Sequence, residues 1–310
     1  MKLDGHVHTY FSGNTTIYPV HRILKESYNT PEGLYRCAKA RGMDLVTITD
    51  HDSIDGALTI AHRRDVIIGC EVTAIFPEDG TNCHINVLGI TEAQHRDIQK
   101  LRHNVRELMP YLKAQGIFCT LNHLASLSAG RLSAPQVCSL LPWLSAIETR
   151  NGTRLPSQNR TATALASAYG KVSTAGSDSH TYRGIGRTYM VCERARNREE
   201  FLAELRNGRV RVEGWQGCHL TLTADILRLA ARFYGDQIVN FIKEPLKWRR
   251  QLMVAGSTIL LPLTTVALAG SIIHYIMDER FNRRLLVDLL AATPVHQPVR
   301  PDIRVLEPAV

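Results

Sequence analysis

Short apolar runs alternate with amphipathic stretches over the first 190 residues, and this alternation constrains the fold more than any other feature of the chain. Runs at 3–7, 45–49, 66–69, 84–88, 117–121, 146–149, 172–176 and 189–192 read as strands. Between them, 31–41, 54–64, 92–115, 133–140, 158–169 and 199–207 read as helices, with Thr30 as one N-cap and Gly42, Gly116, Gly170 and Gly208 as stops. Strand–helix units of this length imply a parallel sheet with right-handed crossovers, and so many in succession favour a barrel over an open sheet.

The histidines follow the strands. His6 and His8 end the first in DGHVHT, where alternation of extended backbone puts both imidazoles on one face. His51 follows the second strand in TITDHDS, and Glu71 follows the third in GCEVT. His84 opens the next in CHINVLG, and His123 closes LNHLA. Glu148 and Asn151 close IETRNG, and Asp178 and His180 close TAGSDSHT. In a parallel barrel the C-terminal strand ends share one mouth. A single histidine is usually solvated or hydrogen-bonded in a core, but independent structural histidines would not keep landing at the same end of successive strands. Imidazoles and carboxylates gathered there suit Zn, Mn or Fe better than Ca or Mg.

Taken in order, DGHVHTYFS, TDHDS, GCEVT, CHINVLG, NHLA, IETRNG and GSDSHT resemble the PHP family, named for polymerase and histidinol phosphatase, over roughly residues 1–215. The resemblance implies a distorted (β/α)7 TIM-like barrel. It also implies a site of two or three divalent metals that hydrolyses phosphate esters with a metal-bridged hydroxide. Carried over by motif, the ligands are His6, His8, His51, Glu71, His84, His123, Asp178 and His180, with Glu71 bridging two metals. One departure stands out: where many members place a further Asp or His after the His-x-His pair, this chain has Gly13 and Asn14. Two metals are then firm and a third conditional, with Asn14 read slightly more as a loop residue than as a ligand.

Catalytic roles fall to Glu71, Asp178 and His180, with Arg150 and Arg183 to neutralise charge on the phosphate. Arg150, Asn151, Arg183 and Arg187 are the candidates for holding that phosphate, each arginine weighed about evenly against a surface ion pair. Asp50, Asp52 and His180 lie in the right loops for the leaving-group acid. The net charge of +8 fits an anionic partner, whether phosphate, nucleic acid or an acidic membrane face. No separate nucleic-acid module is visible. The leading reading is a phosphatase for a phosphorylated small molecule or lipid-linked substrate. A nucleotide phosphodiesterase or exonuclease of the PHP type is the alternative, and a non-catalytic metal-binding scaffold the second.

The tail has another character. Residues 216–310 form a helical extension, with amphipathic stretches at 222–241, broken at Gly235, and at 281–292. Between them, 252–277 carries no Lys, Arg, Asp or Glu. Its length suits a bilayer span, with Lys243, Lys247, Arg249 and Arg250 on one flank and Trp248 and Tyr275 near the ends. Pro262 and the polar residues within it leave an oligomer helix or packing on the barrel as alternatives. Membrane contact is expected through 243–284, and a flexible Pro-rich end follows. The seven scattered cysteines form no CxxC pair, and MKLDGHVHT lacks the apolar region of a signal peptide, so the expected location is cytoplasmic, at the inner membrane face.

Overall fold

The computed structural model of the chain describes residues 1–15, 24–127 and 130–292, without the side chains of 257–269 and 271. In chain order the elements are β1 (Lys2–Leu3), a 3-10 turn (Tyr10–Ser12), α1 (Pro31–Ala40), β2 (Val46–Ile48), α2 (Asp55–Leu58), β3 (Val66–Ile75) and β4 (Asn82–Leu88). Then come α3 (Glu92–Leu101), α4 (Val105–Ala114), β5 (Phe118–Leu121), α5 (Ala134–Leu140), β6 (Ala146–Asn151), α6 (Pro156–Ala168) and β7 (Val172–Gly176). The chain continues through β8 (Thr188–Val191), α7 (Arg198–Arg206), β9 (Arg211–Gly214), α8 (His219–Lys243) and α9 (Trp248–Ala292).

Strands β2 to β7 lie side by side in sequence order, while β1, β8 and β9 make a small antiparallel sheet. The large sheet curls until both its edges meet the N-terminal segment, through parallel bridges Leu3↔Leu45 and Val7↔Ser179. Thr49 N donates to Val7 O at 2.9 Å on one side, and Asp178 N donates to His6 O at 2.7 Å on the other. Residues 3–8 are thus the stave that completes the ring. Two glycines permit it: a Cβ on Gly176 would fall 2.2 Å from His6 Cβ, and one on Gly5 would fall 2.8 Å from Ala175 O.

The expected all-parallel order needs correction. β4 pairs antiparallel with both β3 and β5, while β2–β3, β5–β6 and β6–β7 are parallel. A tight turn replaces the crossover helix, with Gly80 at φ 74°. Phe76 N donates to Thr81 O across it at 2.7 Å. The Asp79–Gly80 dipeptide is the sequence signal for such a hairpin. Because β4 is reversed, its first residues, not its last, reach the mouth.

Apolar packing holds the ring and its helices together. Val72, Ile85, Leu121 and Ile147 from the strands meet Leu108, Leu112, Val137 and Leu165 from the helices in one buried cluster. Each such side chain contributes about 1.5–3 kcal/mol by leaving water. Val7 and Ile48 pack with Leu34 and Ala57 under α1 and α2.

Four helix readings change. The stretch 54–64 is helical only over α2 (Asp55–Leu58) and continues as turns. The stretch 92–115 is two helices, because Asn104 caps α4 by accepting from Arg106 N and the carbonyl of Arg102 accepts from Ile75 N at 2.9 Å. The chain stays helical through Gly235 in α8. The pieces expected at 252–277 and 281–292 are one helix, α9, which continues through Pro262. α9 pairs with α8 and returns against α5 and α6. Among the described residues no helix is long and apolar enough to cross a membrane. Much of 252–277 concerns side chains outside the described residues, and the Pro-rich end from 293 lies wholly outside them.

Candidate metal centre

Glu71 is the hub. It lies in the middle of β3, fully buried, with histidines around both carboxylate oxygens. Oε2 stands 3.1 Å from His6 Nε2, 3.3 Å from His8 Nε2 and 3.4 Å from His51 Nδ1. Oε1 stands 3.3 Å from His84 Nδ1 and 3.1 Å from His123 Nε2. Asp178 Oδ1 closes the other side, 3.6 Å from His6, 3.4 Å from His8 and 3.9 Å from His180.

Each element delivers its ligand for a local reason. Extended backbone turns Val7 into the core, so His6 and His8 both point to the mouth, their Nε2 atoms 3.1 Å apart. His84 arrives from the first turn-proximal residues of the reversed β4. His123 (φ 24°) and Asp178 (φ 49°) sit in left-handed backbone just past β5 and β7. A non-glycine residue there carries strain of about 1–3 kcal/mol, which the surrounding fold must hold, and such strain gathers at functional sites.

The ring nitrogens are oriented from behind. His6 Nδ1 donates to Glu148 Oε1 at 2.8 Å, which leaves Nε2 free to ligate. His8 Nδ1 lies 3.1 Å from Ser12 Oγ, itself bonded to Asp50 Oδ1 at 2.8 Å. His180 Nδ1 donates to the backbone carbonyl of Asp178 at 3.1 Å. Asp50 also accepts from Thr9 N and Thr9 Oγ1, and Asp52 pairs with Arg102 at 3.2 Å, so both carboxylates are occupied in holding loops.

The donor set fits divalent cations. Four overlapping triads bring ligand atoms within 4.8 Å of one another: His6–His8–Glu71, His6–His123–Asp178, His8–His51–His180 and His51–Glu71–His84. All eight ligands carried over by motif appear in them. Among the described residues, Glu71 Oε2, His84 Nδ1 and His180 Nε2 are buried without a hydrogen-bond partner despite these short separations. Lone pairs that face one another across such gaps are what a cation would satisfy.

Charge tells the same story. Burial opposes ionisation of Glu71, yet the charges of His6, His51 and His84 hold its carboxyl well below the usual range. Burial likewise opposes ionisation of Asp178, and His6, a bond from His8 and Arg154 hold it well below. Burial would keep His6 neutral, but Glu71, Glu148 and Asp178 raise it well above its ordinary value. The same contest, won by bonds to Asp178 and Glu71, lifts His8 to about 9. His123 goes the other way, pushed down by burial. Without metal, protons on His6 and His8 take the place of cations.

Three contributors lie outside the ligand set expected from the sequence. Glu26 Oε1 lies 3.5 Å from His51 Nε2 and 3.7 Å from His180 Nε2. It is carried in by a bridge of Asn14 to Lys25, with Glu26 N donating to Gly13 O at 3.0 Å. Asn14 is exposed and serves that loop, so an acid 12 residues further on stands on the side where Gly13 and Asn14 leave a gap. No strand end or spacing marks Glu26. Glu148, noted only as a strand-end acid, orients His6. Arg154 Nη2 reaches Asp178 Oδ2 at 3.3 Å.

The other arginines lie elsewhere. A β-bulge between Glu148 and Arg150 breaks strand alternation, so Glu148 faces the cluster and Arg150 turns out to donate to Gly214 O at 2.8 Å. Asn151 stays inside and donates to both Glu148 Oε2 (2.9 Å) and Asp178 Oδ2 (3.2 Å). Arg187 lies over the Trp215 ring at 4.0 Å, and Arg183 faces Asp225 at 3.9 Å.

Residues 156–210 match the PHP-associated family model PHP_C. An uncharacterized protein of Methanocaldococcus jannaschii is 31% identical over 77 residues, which take in 23% of this chain and 44% of that protein. The chain thus matches less than half the length of this curated relative. A two-domain protein of Bacteroides vulgatus, described as containing a predicted PHP-like metal-dependent phosphoesterase, superposes with a TM-score of 0.52 at 18% identity, over 69% of this chain and 64% of that one. An amidohydrolase of Chromobacterium violaceum, solved with bound sulfate, aligns with a TM-score of 0.48 at 15% identity, over 67% of this chain and 97% of that one. The first superposition, over 69% of this chain, extends the likeness in fold beyond the segment matched in sequence.

Proposed function

We propose that this chain is a metal-dependent phosphoesterase of the PHP type acting on phosphate monoesters. The observation that carries this reading is Glu71, one buried carboxylate within 3.1–3.4 Å of five imidazoles, with an oxygen left unpartnered among the described residues. Two or three ions of the Zn, Mn or Fe class, when bound, supply Lewis acidity towards a phosphate ester and acidify water at neutral pH. The chain's own residues do the rest. His6 and His8 are locked into one ring orientation by Glu148 and Ser12, so no reorganisation is needed when ligands bind. Arg154, held by Asp178 at the edge of the cluster, would meet a phosphate oxygen there. Asn151 and Thr153 hold Asp178 Oδ2, leaving Oδ1 for the metal side.

Metal analysis of the full chain, with phosphate release assayed under added Zn, Mn or Fe, tests the reading. Bound metal and monoester hydrolysis, both lost in Glu71→Gln, is the expected result. Metal-free protein with no phosphate release under any of the three rejects it. Diester cleavage as fast as monoester cleavage would move the assignment to a phosphodiesterase.

We also propose that the α8–α9 arm lies on an anionic membrane face, which would favour a lipid-linked substrate. Exposed Ile238, Val239, Ile242, Leu246, Trp248 and Leu252 run beside Lys243, Lys247, Arg249 and Arg250. Apolar side chains bordered by basic ones are the composition of a helix lying in the plane of a charged interface.

A further inference from the structure

Beside the metal cluster, α8 roofs a cavity of about 410 Å³ that the reading above does not use. His180, one of the imidazoles of the cluster, forms part of its wall, so the cavity adjoins the cluster. Its charge comes from three arginines, Arg183 on the loop after β7 and Arg228 and Arg232 on α8. The rest of the lining is largely apolar, with Tyr28, Tyr182 and Leu229.

The arginines are not all used internally. Asp225 faces Arg183 at 3.9 Å and Arg228 at 3.3 Å, and also accepts from Thr181 Oγ1 at 3.0 Å. One carboxylate therefore serves two guanidinium groups. Arg232 has no ion pair among the described residues. Asp236, one turn further along α8, acts on Tyr28 and raises its pKa after burial has already done so. Asp225, Arg228 and Arg232 follow i, i+3, i+7 spacing, which puts them on one helix face. That face borders the loop after β7, where Asp225 accepts from Thr181 and the two arginines share a cavity lining with His180.

The geometry points to an anion subsite: we infer that the cavity holds a second acidic group of the substrate while its scissile phosphate lies at the metal cluster. The inference rests on the phosphoesterase reading and narrows it to doubly anionic substrates, such as a bisphosphate with an apolar or aromatic spacer. Guanidinium groups pair with phosphate through two parallel hydrogen bonds, and an apolar wall strengthens such pairs by excluding water. The volume accommodates a group of that size.

Calorimetry on the metal-loaded full chain tests it with non-hydrolysable probes, a butane chain with a phosphonate at both ends and butylphosphonate with one. The doubly charged probe is expected to bind at least about tenfold more tightly, through charge-assisted pairing in the cavity. In Arg228→Ala/Arg232→Ala that advantage falls to within about twofold, while butylphosphonate affinity and metal content hold. Ala231→Trp, which fills the exposed helix face without removing an arginine, has the same effect by obstruction. Equal affinity of the two probes for the unaltered protein, no binding of the diphosphonate, or equal loss of both probes in the variants overturns the subsite. Phosphate release from butanediol monophosphate and bisphosphate is measured alongside. Release from neither rejects the phosphoesterase reading, and the affinity ratio still decides the subsite.

Discussion

Glu148 belongs to none of the four triads, yet it fixes the ring of His6, which belongs to two. It holds His6 Nδ1 at 2.8 Å and accepts from His123 N at 3.0 Å, so one carboxylate positions two ligands. Glu148→Gln should lower metal affinity about 10- to 100-fold, as loss of an orienting partner does, measured by competition with a chelating dye. Unchanged affinity would reduce Glu148 to a packing role. Arg154 and Arg150 give a paired comparison. Arg154→Ala is expected to slow phosphate release about 100-fold by removing charge at the phosphate, while Arg150→Ala leaves the rate within about twofold. The pH behaviour follows from His8, raised to about 9 against an ordinary 6.5. Its folded-state pKa lies above the unfolded one, so in metal-free protein its contribution to stability is complete below 6.5 and fades as pH rises through about 9. The melting temperature of metal-free protein should therefore fall between pH 7 and 9. Loading at pH 7 should release protons into a weakly buffered dye solution, and apparent affinity should climb with pH over the same window. Loading without proton release would contradict the proposed contest between protons and metal.

The closure of the barrel depends on how closely two strands approach. Gly5 and Gly176 face the opposite chain where the ring shuts, and a methyl at Gly176 would collide with His6. Gly176→Ala is expected to cost at least about 1–3 kcal/mol in urea unfolding, as overpacking does, and to lower metal affinity because His6 is the atom group displaced. A variant of normal stability would mean the seam opens without cost. The elements themselves were largely legible, since hydrophobic period, caps and stops are local. Thr30 does cap α1 through Gly33 N. What escaped was decided by partners far away. The break after α3 exists because Arg102 O meets Ile75 and its guanidinium meets Asp52. The bulge in β6, which separates Glu148 from Arg150, leaves no mark in IETRN.

Across the whole molecule, α9 is tied to the barrel by a polar clasp. Asp278 accepts from Leu127 N at 2.7 Å and Gln158 Nε2 at 3.0 Å, and Ser157 Oγ donates to Glu279 at 2.6 Å. Leu285 and Leu289 are buried in the same core as the barrel strands. Asp278→Ala removes the acceptor of the half-buried Leu127 N and one of the two acceptors of buried Gln158 Nε2, a loss of about 1–3 kcal/mol. Hydrogen exchange should then quicken across 275–292 while β3 and β7 amides stay protected; protection unchanged in α9 would show the clasp to be incidental. Flotation with vesicles tests the membrane reading: binding to anionic but not neutral vesicles is expected, and Lys243→Glu/Arg249→Glu should abolish it.

The sequence alone picked out the eight residues that the cluster gathers, because side chains at successive strand ends need only local period and order to be recognised. His6, His8, His51, Glu71, His84, His123, Asp178 and His180 all meet in the triads. Tertiary structure alone decided their company. Glu26 enters beside the bridge of Asn14 to Lys25, Arg154 pairs with Asp178 while Arg150 turns to Gly214, and α8 brings Arg228 and Arg232 into the cavity that His180 lines. These contacts join residues far apart in the chain with no shared period, so they exist only once the ring has closed.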